Sequence, residues 1–208
     1  MNGGLEQAVE PTIGELRKEG VEEIEVRGED IPMLTAFYLS QGRRVVGITG
    51  SDLYTNYLLS PDYSAVQGGR KPSPAVTLEV LCREETINPR AVFGKPALCV
   101  MTRKGTGIEG GLRDPLIVAN QKYAWIAAKF IAEMARAGFL QNNVRTMYLA
   151  GKTEVAGRDM GAAMVIDIVN EGTTSKRYGW EVLGKPLFLS DIIVIGSAAR
   201  IGLQGYAR

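Results

Sequence analysis

Apolar residues recur along this chain with two different periods. Val76, Leu78, Val80 and Cys82 alternate with polar neighbours, the pattern of a strand with one buried face. Ile126, Phe130 and Met134 form one row with Ala127 and Ile131 beside it, which predicts a helix over 121–137 stopped by Gly138. Short apolar runs at Ala97–Thr102, Leu116–Ala119, Thr146–Leu149, Met164–Val169 and Leu187–Ile195 read as strands. Arg44–Thr49 is a further strand, ended by Gly50, with Ser51 or Asp52 placed to cap a following helix. Asp30-Ile31-Pro32 opens a helix whose apolar row is Met33, Leu34, Phe37 and Tyr38. Residues 5–19 read as a helix interrupted near Pro11, Glu22–Val26 as a short strand, and 154–162 as a helix. Residues 60–74 and 103–115 are loops by their Ser, Pro and Gly content, the second a candidate crossover between two lobes. Strands alternating with helices give an α/β fold with mostly parallel sheets.

The 208 residues suffice for one large domain or two smaller lobes. A formal net charge of +1 gives no global field, so neither nucleic acid nor a membrane surface is expected as a partner. An anion would have to be met by local groups. No apolar run has the length of a membrane span. The start of the chain shows no secretory pattern, and Cys82 and Cys99 lie in strand-like segments as free thiols, so a reducing, cytoplasmic setting is expected. Two lone cysteines give no zinc site, and the absence of histidine removes triad chemistry and histidine metal sites together. Any catalysis falls to carboxylates, hydroxyls, backbone amides, lysines, arginines or a metal carried by the substrate.

Gly105-Thr106-Gly107-Ile108-Glu109-Gly110 fits the spacing of a dinucleotide loop, but Pro115 breaks the helix that should follow and no acidic residue closes a second strand, so a loop is the reading. Asn170-Glu171-Gly172-Thr173-Thr174 follows a strand directly. Taken alone it reads first as a turn with a helix cap by Thr173 or Thr174. The second reading is a phosphate cradle, in which the glycine aligns successive N–H groups, two hydroxyls add donors, and Asp167 and Glu171 accept from sugar hydroxyls. Gly151-Lys152-Thr153-Glu154 follows another strand in the same way. Two such loops after neighbouring strands could face one cleft.

Several stretches, in order, resemble the short form of ATP phosphoribosyltransferase. They are Arg27-Gly28-Glu29-Asp30-Ile31-Pro32, Gly47-Ile48-Thr49-Gly50-Ser51-Asp52, Phe93-Gly94-Lys95, Ala150-Gly151-Lys152-Thr153-Glu154, and Asp167-Ile168-Val169-Asn170-Glu171-Gly172-Thr173-Thr174. The tail from Glu181 to Ser197 fits as well, and the length matches the short form. The resemblance implies a two-lobed fold like that of type II periplasmic binding proteins, with a cleft between lobes. Lobe I would hold 1–98 and 180–208, and lobe II would hold 99–179. The implied reaction is attack by N1 of ATP on phosphoribosyl pyrophosphate (PRPP), with pyrophosphate leaving and Mg²⁺ carried on it, the first step of histidine biosynthesis.

On this resemblance PRPP would meet Glu154, Asp167, Asn170, Glu171, Gly172, Thr173, Thr174 and Ser175. Gly50, Ser51 and Asp52 would face ATP from the other lobe. No catalytic residue and no metal ligand is singled out. A homo-oligomer, such as a dimer, is implied, with a regulatory subunit resembling histidyl-tRNA synthetase as a possible partner. The chain departs from the family pattern at Gly4, Val45, Ala97 and Ala163, and the Tyr-Pro pair expected near Asn120–Tyr123 is absent. Three of these changes remove polar groups, so PRPP binding is carried more directly than turnover. The alternatives are a non-catalytic PRPP or nucleotide binder and a small-anion solute-binding protein of the same fold.

Overall fold

A computed structural model describes residues 24–61, 77–85 and 87–201. The helix expected over 5–19, Gly4, most of the 60–74 loop and Val76 lie outside the described residues. Within them the chain builds two sheets. It passes from the smaller to the larger between Glu84 and Ala97, and returns between Leu189 and Ile192.

The smaller sheet has the order β1 (Gly47–Gly50), β11 (Ile192–Gly196), β2 (Glu79–Glu84), all antiparallel. Helices α1 (Ile31–Ser40) and α2 (Ser51–Leu58) pack with it, joining Ala36, Leu39, Tyr54, Tyr57, Leu78, Ile193 and Ile195 in one core. The buried face of α1 is Pro32, Thr35, Ala36 and Leu39, not the expected row. Met33 and Phe37 are 48% and 51% exposed. Small residues win the inner face because the helix lies close to β1: a Cβ on Gly47 would overlap Thr35 Oγ1 and Ile31 Cγ2. Asp30 stands at the N-cap of α1 with Pro32 in the first turn, but its side chain accepts no capping hydrogen bond. Gly50, rather than Ser51 or Asp52, is the N-cap of α2. Ile24–Val26 is not a strand, and Arg44–Val46 precedes β1 rather than joining it. Leu78, just before β2, is buried while Val80 and Cys82 are exposed, and a register shift opposite Val194/Ile195 falls between the latter two.

The larger sheet runs β10 (Phe188–Leu189), β3 (Ala97–Arg103), β8 (Met164–Val169), β5 (Leu116–Asn120), β7 (Arg145–Leu149), with β9 (Trp180–Val182) also on β3, while β4 (Leu112–Arg113) and β6 (Leu140–Gln141) form a separate short parallel pair. Parallel pairing, expected where strands alternate with helices, joins β5 to both β7 and β8. Antiparallel pairing enters where the chain arrives from and leaves for the other sheet, on β3, β9 and β10. Both faces are covered, which explains the unbroken apolar runs. Leu98, Val100, Ile117, Ala119, Met164 and Ile166 meet α3 (Ala124–Arg136) on one side. Cys99, Met101, Val118, Val165 and Trp180 fill the other. Burial pushes the Cys99 thiol up to about 12, so it is inert.

Residues 103–115 join β3 to β5 within one sheet and do not cross between lobes. The true return crossing is Ser190-Asp191, which splits the single strand expected over Leu187–Ile195. Trp180–Val182 and Phe188–Leu189, expected in lobe I, therefore pair with the larger sheet. No helix among the described residues is long and apolar enough to cross a membrane.

Asp191 clasps the two crossings. Its carboxylate accepts from Lys95 at 2.6 Å and from Arg83 at 3.5 Å, and Lys95 also reaches Glu85 at 3.2 Å. Lys95 and Asp191 are both largely buried. The Asp191 hydrogen bond, foremost, raises the Lys95 pKa against the opposing effect of burial. Asp191→Ala is expected to cost about 1–3 kcal/mol of stability, between the values for exposed and buried pairs. A denaturation midpoint equal to that of the parent chain would contradict the clasp.

Candidate functional site

The three parallel strands end side by side, and each end carries a polar turn. β5 ends in Asn120, β7 runs into Gly151–Glu154, and β8 runs into Asn170–Thr174. Ligands of open α/β sheets sit at such carboxyl ends. A cavity of about 280 Å³ lies there, lined by Glu154 and residues 168–175. The two loops singled out by sequence thus share one hollow.

The turn after β8 depends on Gly172, which adopts φ +69° and leads into α5 (Thr173–Arg177). Gly172 is its N-cap, and no side chain caps it, so neither Thr173 nor Thr174 has the capping role. Both threonines are exposed. The first-turn amides of a helix have no carbonyl within it to bond, so here they point toward the turn. Ser175 is buried and donates to the Gly172 carbonyl at 3.0 Å, which holds the turn closed. The crossing segment backs the turn: the Val92 amide donates to Asn170 O at 2.8 Å, and Asn88 Nδ2 to Asn170 Oδ1 at 3.1 Å.

Gly151 and Lys152 both take positive φ and lead into α4 (Thr153–Asp159). Trp180 Nε1 donates to the Glu154 carbonyl at 2.9 Å and pins the start of this helix. Thr153 is 0% exposed, and its hydroxyl lies beside Asp167 without meeting it in full hydrogen-bonding geometry.

Asp167 sits on β8 beneath the turns and is buried. It accepts from the Ile168 amide at 2.7 Å and from Asn120 Nδ2 at 2.9 Å. Burial raises its pKa and outweighs the lowering by the Ile168 amide, Thr153, Asn120 and Lys122. Glu154 is raised as well, first by burial and then by Asp167, against its own backbone amide. The cavity lining contains Glu154 and Glu171 but no lysine or arginine. Amides and hydroxyls on one side, with carboxylates on the other, suit a ligand carrying both an anion and hydroxyl groups.

Gly50, Ser51 and Asp52 are not brought into this cavity. Ser51 and Asp52 are buried against the return crossing. Ser51 Oγ accepts from the Asp191 amide at 3.0 Å, and Asp52 accepts from Ser190 Oγ at 2.5 Å. A Cβ on Gly50 would overlap Asp52 Oδ1. The positions at which the chain departs from the family pattern are packed rather than polar: Ala97 is fully buried, Ala163 lies against the larger sheet's core, and Val45 against the smaller.

Three contacts between the lobes were missed by the sequence reading. Asn56 Oδ1 accepts from the Trp125 and Ile126 amides at 2.9 and 3.2 Å, capping α3 from the opposite lobe. Lys122 meets Glu29 at 3.1 Å. The Tyr123 hydroxyl lies beside Asp52, and its pKa is raised by burial first and by that carboxylate next. A second hollow of about 140 Å³ lies among Glu29, Asn56, Lys122 and Trp125. No group of three or more metal-binding side chains occurs among the described residues.

No family model matches the chain. It is 30% identical over 165 residues to an ATP phosphoribosyltransferase of Streptomyces avermitilis, an alignment covering 79% of this chain and 47% of that protein. The chain thus spans about half the length of the curated relative it matches. Among solved structures, a chain of the ATP phosphoribosyl transferase (HisG:HisZ) complex from Thermotoga maritima superposes with a TM-score of 0.60 at 20% identity, over 94% of this chain and 85% of that one. The aliphatic sulphonate-binding protein SsuA of Escherichia coli gives 0.55 at 13% identity, and the alkanesulfonate-binding protein SsuA of Xanthomonas axonopodis pv. citri, bound to MOPS, gives 0.51 at 14%. Each covers 96% of this chain and 64% of its own. The expected two-lobed, type II periplasmic-binding-protein-like fold is therefore present, and the chain is similar in sequence to an ATP phosphoribosyltransferase over about half of that protein's length.

Proposed function

We propose that the cavity at the ends of β5, β7 and β8 binds PRPP and that the chain transfers its phosphoribosyl group to N1 of ATP, releasing pyrophosphate. The observation that carries this reading is a hollow lined by an uncapped Gly-Thr-Thr turn and Glu154, with the buried carboxyl of Asp167 on the strand that leads into that turn. The 5-phosphate would lie on the amides of Thr173, Thr174 and Ser175 and on the two threonine hydroxyls. Asp167, Glu154 and Glu171 would accept from the ribose hydroxyls, with Asn170 at the rim. Mg²⁺ would travel on the pyrophosphate and offset the repulsion between that group and these carboxylates.

The reaction needs little from the side chains. Adenine N1 has a lone pair and no proton to lose, so no general base is required. The bond from C1 of ribose to pyrophosphate breaks as the bond to N1 forms. Alignment of two bound substrates across the lobes and stabilisation of the departing pyrophosphate then account for the acceleration. Within this reading the protein works in the cytoplasm as an oligomer, with a regulatory partner resembling the HisZ of the Thermotoga complex.

The sulfonate-binding neighbours favour a second reading, an anion-binding protein. Carboxylates in and beneath a lining without cations count against a bare sulfonate or phosphate.

Turnover of PRPP and ATP, with and without a HisZ-like subunit, tests the transfer; a chain that binds PRPP yet never turns over in either state would leave only binding. Thr173→Val keeps the shape of an exposed, uncapped side chain. It is expected to weaken PRPP binding by at least ~1 kcal/mol, read by calorimetry, and unchanged affinity would remove the loop from the site. Asp167→Asn should weaken PRPP about tenfold. In the ligand-free chain it acts oppositely. The folded protein holds the Asp167 proton more tightly than the unfolded chain does, so stability is lost as pH rises above the ordinary value of 3.8. The variant should therefore melt higher than the parent near neutral pH, with the difference vanishing in acid. A lower melting temperature at neutral pH would contradict this account.

A further inference from the structure

Asn120 stands at the end of β5 with little exposure, and its two amide atoms do different work. Nδ2 donates to Asp167 Oδ1 at 2.9 Å, and Oδ1 accepts from the Lys122 amide at 3.1 Å. The second bond caps the short 3₁₀ turn Gln121–Tyr123. From that turn Lys122 pairs with Glu29, and Tyr123 lies beside Asp52, both in the smaller-sheet lobe. One side chain therefore joins the acid beneath the cavity to the contacts that span the lobes.

We propose that Asn120 is a positioning residue for the phosphoribosyl site, fixing the Asp167 carboxylate toward the ligand and tying its placement to the approach of the opposite lobe. The proposal rests on the PRPP reading above. Its physical basis is the scarcity of other partners. Asp167 is buried, Thr153 does not meet it in full geometry, and its remaining bond goes to the neighbouring amide of Ile168. The other titratable groups facing it are Glu154 on α4, Lys122 and Tyr123 on the turn, and Cys99 opposite it on β3. Glu154 repels its charge, Lys122 attracts it, and Cys99 stays a thiol. Without the Asn120 amide the carboxylate loses the donor that sets its plane.

Asn120→Asp separates the two halves of this role. An aspartate can still accept from the Lys122 amide, so the turn and the fold are kept. It removes the donor and sets a second carboxyl against Asp167, so the pair retains a proton to higher pH. That shared proton can replace the missing N–H only while it remains bound. PRPP affinity, measured with Mg²⁺, should fall by at least about tenfold in mildly alkaline solution and recover toward the parent's in mild acid, while the parent weakens in acid. In the ligand-free variant the carboxyl ¹³C resonance of Asp167 should titrate at higher pH than in the parent.

Asn120→Ser provides a second variant. Its shorter side chain keeps a cap but cannot reach Asp167, so it should show the raised titration and weaker binding without the reversed pH dependence. An unmoved Asp167 titration in both variants, or an affinity loss in Asn120→Asp that is equal at every pH, would overturn the proposal and leave Asn120 a structural cap. Parent protein that binds no PRPP while the Asp167 titration still moves would overturn the ligand reading and leave the Asn120–Asp167 coupling standing.

Discussion

The ion pair of Lys95 with Asp191 at 2.6 Å is the contact on which the arrangement of the two lobes depends. Among the described residues the chain goes from one sheet to the other once and comes back once. Each partner sits in one of those crossings. Backbone and side-chain bonds from Ser51 to Asp191, and from Ser190 to Asp52, extend the clasp into the smaller lobe. With the crossings fixed, Asn56 can cap α3 from the opposite side, and the segment carrying Val92 and Asn88 can brace the turn at Asn170.

The site solves an electrostatic problem locally. The net charge is close to zero, and the cavity lining has no cation. An anion bound there would be held by aligned amides and hydroxyls, which can position a phosphate without attracting every anion nearby. The carboxylates close to that turn discourage bare anions and favour a ligand that also brings hydroxyl donors or its own metal ion. Their raised pKa values record that burial disfavours their charge in the ligand-free chain. Such strain at a binding site is commonly relieved by the ligand.

What the sequence disclosed follows from range. The runs at Ala97, Leu116 and Met164 were legible because both faces of the larger sheet are covered, and the turn at Gly172 because a glycine with positive φ after a strand has few other uses. The pairing of the Gly151 and Gly172 loops was legible as two similar turns after strands. The inner face of α1 was not, since close packing on Gly47 selects small residues over Met33 and Phe37. The break at Ser190-Asp191 was hidden in an apolar run. Gly50, Ser51 and Asp52 carried the family pattern but serve the return crossing, 138 positions away in the case of Asp52 and Ser190. Asn120 and Asp167 are 47 positions apart, so no local pattern joins them.

The central claim is that the turn at Gly172 and the acid at Asp167 hold a phosphoribosyl group. A calorimetric titration of the folded chain with PRPP and Mg²⁺, set against inorganic phosphate and an alkanesulfonate, tests it most directly. Saturable binding of PRPP with neither simple anion competing at similar concentration is the predicted result. No binding of PRPP, or equal binding of the sulfonate, would contradict the claim and leave the fold without the ligand assigned to it.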